Sequence, residues 1–177
     1  MSVVRVNQIQ DTSTNVAANI SGGVVTFTNT PINAGGGKVL QVINVKRETT
    51  GPTITSITQV SILTASITPS STSSRIMITA MASGQTTTGS SGIFDSRIYR
   101  GGVSGTVVSA FYEGMGQTTN NQVHYLTANH TVTDSPNTTN ATTYTFSLGT
   151  GSGGTTNVKF FGSAGYPITM SLMEIGG

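Results

Sequence analysis

Beyond residue 37 the apolar residues recur at every second position, in short stretches broken by turn-forming residues. In residues 75–83, Ile76, Ile78, Ala80 and Ala82 fall on one face, and Arg75, Met77, Thr79 and Met81 on the other. Residues 142–148 put Tyr144, Phe146 and Leu148 on one face, and 168–175 alternate Ile168, Met170 and Leu172 with Thr169, Ser171 and Met173. A period of two is that of a strand with one buried face. Residues 39–46, 54–69, 93–100, 107–113, 123–132 and 157–161 carry related signals, which makes about nine strands. Turn clusters at 69–74, 101–102 and 134–140, with polar loops at 84–92 and 114–121, separate them. No amphipathic helix pattern of about ten residues occurs, which argues against a parallel βαβ fold. No internal repeat is visible, which argues against a propeller or β-helix. The expectation is an all-β chain: an antiparallel, jelly-roll-like β-sandwich head over 38–177.

The first 37 residues differ. Short strand-like pieces (VVRV, VAANI, VVTFT) are separated by DTSTN and SGG, and Gly35-Gly36-Gly37 reads as a hinge. Val4, Val6, Ile9, Val25, Phe27 and Pro31 are the apolar positions, too few for a core of their own. This segment is expected to be an extended β arm stabilised by an external partner, which makes those six residues the candidate anchor.

Composition sharpens this picture. Of 177 residues 8% are charged, and 32 Thr with 21 Ser supply strand surface that faces water without charge. Many Val, Ile and Thr fit pleated strands and oppose a reading as a disordered chain. The net charge is +2, and Lys46-Arg47 is the only adjacent basic pair, so no patch able to displace counterions from nucleic acid is present. No apolar run is long enough to insert in a membrane as a helix, and residues 1–10 lack the apolar stretch of a signal peptide. Cysteine is absent, which removes disulfides and thiolate metal sites.

Candidate chemistry is sparse. The acids are Asp11, Glu48, Asp95, Glu113, Asp134 and Glu174, with no close pair in sequence. Asp95 and Glu113 would meet only across a hairpin, where two carboxylates serve glycoside hydrolysis; the simpler expectation pairs the acids with Arg97 or Arg100. His124 and His130 lie about 20 Å apart along a strand, too far to share one metal, although copies in a trimer would bring such residues to a threefold axis. The run Gly149-Thr-Gly-Ser-Gly-Gly satisfies GxGxxG, but a strand and not a helix follows, so it reads as a hairpin loop. No catalytic residue, cofactor or metal is expected. The polar loops are more suggestive: Gln85, Thr87, Gln117, Asn120, Asn121, Asn137 and Asn140 form a candidate recognition set, with Tyr99, Tyr112, Tyr125 and Tyr166 near loop ends. Amides and aromatic rings are the groups that bind sugars.

Two segments resemble tailed-phage virion proteins of the tail-fibre-like kind. One is Gly37-Lys-Val-Leu-Gln-Val followed by a Thr-rich strand and ASITPSSTSSRIMI (65–78); the other is the closing ITMSLMEI (168–175). Val6-Asn-Gln-Ile-Gln and Gly23-Val-Val-Thr-Phe-Thr-Asn are similar to fibre or head-surface arms. No such motif covers residues 84–156. The resemblance implies a non-enzymatic, homotrimeric virion surface protein: a short tail fibre used in adhesion, or a capsid decoration (cement) protein. It would be assembled in the host cytoplasm and anchored to capsid or tail proteins by residues 1–31. Ile67, Pro69, Ile76, Ile78 and the closing strand are structural in that reading. A host surface glycan is a further expected partner, while nucleic acid and membrane are not. The alternatives are a carbohydrate-binding module acting through its loops and a glycan-cleaving spike.

Overall fold

A computed structural model describes residues 8–10, 16–21, 24–27, 38–51, 53–55, 57–86, 92–115, 125–150, 158–162 and 166–176. The chain divides into two compact units, Met1–Gly37 and Lys38–Gly177. The first holds an antiparallel three-stranded sheet of β1 (Gln8–Gln10), β2 (Val16–Ser21) and β3 (Val24–Phe27), in the order β1-β2-β3.

The second unit is a two-layer antiparallel sandwich. Its strands are β4 (Val39–Arg47), β5 (Thr53–Ile54), β6 (Val60–Ile67), β7 (Arg75–Thr86), β8 (Gly92–Arg100), β9 (Thr106–Met115), β10 (Tyr125–Asp134), β11 (Thr142–Thr150), β12 (Val158–Phe160) and β13 (Ile168–Ile175). One layer runs β4-β13-β7-β10, with the short β12 and β5 continuing beyond β13 along β7. The other runs β6-β11-β8-β9. Without the two short strands, the eight long ones fall into the two layers in the orders 1-8-3-6 and 2-7-4-5. That is the jelly-roll arrangement, in which every connection between successive long strands except the β8–β9 hairpin crosses between sheets, and each strand buries one face.

The alternation read from the sequence predicts the core. Ile76, Ile78, Ala80 and Ala82 of β7 and Ile168, Met170 and Leu172 of β13 are buried against Tyr144, Phe146 and Leu148 of β11 and Phe94 and Ile98 of β8. The Phe94 and Phe160 rings close one end at 5.4 Å. Asp134, Arg100 and Tyr144 tie the layers together: the Tyr144 hydroxyl donates to Asp134 Oδ2 at 2.6 Å, and Arg100 Nη1 donates to the same oxygen at 3.0 Å.

Three boundaries differ from expectation. Residues 54–69 are two strands, β5 and β6. Strand β7 runs through Gly84 to Thr86, where a loop was expected, because β10 and β12 supply ladder partners on both of its sides. Gly84 also lies under Phe160, where a Cβ would crowd the Lys159 carbonyl. Gly149 belongs to β11 and not to a loop: it pairs with Asp95, and a Cβ there would collide with the Gln59 amide.

Candidate functional site

The six proposed anchor residues divide by position. Ile9, Val25 and Phe27 lie in strands; Val4, Val6 and Pro31 lie outside the described residues. Ile9 pairs with Ala18, Ala18 with Phe27, and Ile20 with Val25. Because strand positions alternate between faces, Ile9, Ala18, Ile20, Val25 and Phe27 occupy one face of the small sheet. A lone sheet with one apolar face requires a second layer, and the described residues of this unit contain one sheet only.

The described recognition residues, Gln85, Asn137 and Asn140, do not form one surface. Antiparallel register puts the β6–β7, β8–β9 and β10–β11 turns at the end of the sandwich where β4 begins. Asn137 and Asn140 are exposed there, with Asn137 in the left-handed region (φ 53°). Gln85 lies towards the opposite end, in the half-buried part of β7 and not in a loop, between Tyr125 and Lys159. Thr87, Gln117, Asn120 and Asn121 lie outside the described residues.

The four tyrosines separate into two surfaces. Tyr125 and Tyr166 are 75% and 65% exposed and flank Phe161, with ring centroids 6.3 and 5.7 Å from it. Tyr99 and Tyr112 belong to the outer face of the other sheet, around Arg97. That guanidinium donates to Asp95 through Nε (3.0 Å) and Nη2 (2.6 Å), to Tyr112 Oη (2.8 Å) and to Tyr99 Oη (3.3 Å). Gln59 completes the network, donating to Asp95 Oδ2 at 2.8 Å and accepting from Ser147 Oγ at 2.7 Å. The Asp95 hydrogen bonds hold the Arg97 proton more firmly than usual. An open groove of about 480 Å³ on the same face is lined by Ser61, Thr64, Thr143 and Thr145 and by the Gly101–Val103 turn.

The backbone register does not set Asp95 opposite Glu113. Asp95 lies opposite Tyr112, and Glu113 is one step away opposite Phe94. Adjacent positions on a strand belong to opposite faces, and Asp95, 2% exposed, is engaged by Arg97 and Gln59. The sequence leaves Arg97 and Arg100 open as partners of the acids, and carries no signal for Gln59, 36 residues from Asp95. Four acidic side chains are engaged by neighbours: Glu48 by Lys46, Asp95 by Arg97, Asp134 by Arg100 and Tyr144, and Glu174 by Ser70 and Gln41.

His130 is a packed core residue. Its Nε2 and Nδ1 meet Ser96 Oγ (2.8 Å) and Ser109 Oγ (2.9 Å) of the facing sheet, and its ring stands edge-on to Phe146 and Phe111. Burial pushes its pKa below the ordinary value against the opposing pull of Asp95. His124 lies outside the described residues, among which no three His, Cys, Asp or Glu side chains converge as a metal site.

Glu174 joins the two segments that carry the phage resemblance. Its Oε1 accepts from the Ser70 backbone N–H and hydroxyl, both at 2.6 Å, and its Oε2 accepts from Gln41 Nε2 at 2.7 Å. Gln41 also donates to the Thr68 carbonyl at 2.7 Å. Burial pushes the Glu174 pKa up, but the Ser70 and Gln41 bonds outweigh it and hold the carboxyl at about 2.

No protein-family model matches the chain, and no curated protein matches it. Among solved structures it is similar to dimeric latent PorU from Porphyromonas gingivalis (TM-score 0.43, 10% identity, covering 81% of this chain and 14% of that one). It is also similar to a structure of infectious bursal disease virus, Gt strain (TM-score 0.37, 11% identity, 90% and 42%). A third similarity is to the Bacillus endospore appendages described as disulfide-linked pili (TM-score 0.28, 17% identity, 85% and 100%). The chain therefore spans less than half the length of the first two chains it matches.

Proposed function

We propose that this protein is a non-enzymatic structural component of a tailed-phage particle: a homotrimer attached through residues 1–37 that displays the jelly roll outward. The observation that carries this reading is the lone N-terminal sheet with Ile9, Ala18, Ile20, Val25 and Phe27 on one face. Such a face is stable when covered, either by equivalent sheets around a trimer axis or by a capsid or tail protein. Engagement of Glu48, Asp95, Asp134 and Glu174 in internal bonds supports a display role over catalysis, and many copies multiply shallow contacts at a particle surface. The reading needs no cofactor.

Gold-labelled antibody against the jelly roll, imaged on purified particles, tests it. Label on the tail assigns a fibre, label on the shell assigns decoration, and label found only off the particles refutes the reading. Removing residues 1–37 is expected to abolish co-sedimentation with particles. Light scattering of the intact chain is expected to give about 55 kDa, three times 18.2 kDa.

A further inference from the structure

We propose that Tyr125, Phe161 and Tyr166 form a glycan-binding platform. Tyrosine normally buries its ring and leaves only the hydroxyl wet, yet two of these rings are 75% and 65% exposed. The three are contiguous, tilted 38° and 49° to one another, and so form a shallow faceted surface. The backbone holds this arrangement: the Phe161 N–H donates to the Ser83 carbonyl at 2.9 Å, and β10 begins at Tyr125.

What surrounds the rings selects the ligand class. Register puts Lys159, Gln85 and Tyr125 in one row across three strands. The next row on that face pairs Ser83 with Thr127, whose hydroxyls lie 3.2 Å apart. The rings are thus apolar islands bordered by an amide, an ammonium and hydroxyls. A pyranose has the complementary form, with an apolar C–H face to stack on a ring and a rim of hydroxyls to bond amides and cations. The platform goes beyond the virion reading: it belongs to the jelly roll and depends on neither the trimer nor the N-terminal sheet.

The test is binding of the intact chain to a printed array of bacterial surface polysaccharides, followed by titration of the strongest ligand. At least one polysaccharide is expected to bind. Tyr125→Ala and Tyr166→Ala should each weaken it about three- to tenfold, and Tyr112→Ala, exposed on the other sheet, should leave it unchanged. Tyr125 and Tyr166 are exposed, so the denaturation midpoints of their variants should match the wild type and confirm folding. A silent array overturns the proposal, as does equal weakening by Tyr112→Ala and Tyr125→Ala. Particle labelling reports separately: label on virions with a silent array removes the platform alone, and array binding without virion label removes the virion reading alone.

Discussion

Replacing Glu174 with Gln preserves shape and removes charge at the point where three strands meet. The carboxylate accepts three hydrogen bonds, two from Ser70 and one from Gln41. In the variant one oxygen becomes an NH2 group. If that group faces Ser70, two donors oppose a donor. If it faces Gln41, the Gln41 amide must turn over and give up its bond to the Thr68 carbonyl. Hydrogen bonds to charged groups contribute about 1.5–3 kcal/mol each, and a buried donor left unpaired costs about 1–3. Glu174→Gln should therefore destabilise by about 2–4 kcal/mol at pH 7, lowering Tm by roughly 5–15 °C.

The pH dependence gives an internal control. Glu174 titrates at about 2 when folded against 4.5 ordinarily. Its stabilisation is complete above pH 4.5 and is lost as pH falls towards 2. Urea denaturation followed by circular dichroism at a series of pH values should show wild type and variant converging near pH 2. A difference below about 0.5 kcal/mol at pH 7, within the range of a neutral surface substitution, would refute the reasoning, as would a difference that persists undiminished at the lowest pH.

The remaining predictions concern the other buried polar groups. His130 is held neutral in the fold, so its contribution is complete above the unfolded value of 6.5 and declines as pH drops below it; His130→Asn should flatten the stability slope between roughly pH 7 and 5.5, and an unchanged slope counts against this. Tyr144→Phe removes the bond to Asp134 while leaving Arg100 in place, and chemical denaturation should register a loss of about 1–2 kcal/mol. Gly149→Ala should push Gln59 off Asp95 and Ser147 at a cost of about 1 kcal/mol. Gln59→Ala should cost as much, and additive losses in the double variant would show that the two changes act separately.

Period-two alternation was enough to place the faces of β7, β11 and β13, because burial of one sheet face demands that pattern whatever the strand's partner is. Strand ends were less legible. Nothing local distinguishes Gly84-Gln85-Thr86 from a loop, and it is the presence of β10 and β12 on either side that makes it strand. The anchor positions Ile9, Val25 and Phe27 were visible as apolar residues, but only the β1–β2–β3 register assigns them to one face. The aromatic platform was half visible: Tyr125 and Tyr166 stand near loop ends, whereas Phe161 is only the last residue of the 157–161 strand signal.

The sequence by itself determined the fold class, the inward faces and the scarcity of reactive groups, since these follow from alternation and composition, which are local properties. Tertiary structure alone decided the partners of the few charges. Asp95 meets Gln59, His130 meets Ser96 and Ser109, and Glu174 meets Ser70 and Gln41 across separations of 21 to 133 residues. In a jelly roll most successive strands cross between sheets, so the neighbours of a side chain come from distant parts of the chain, and no spacing along the sequence records them.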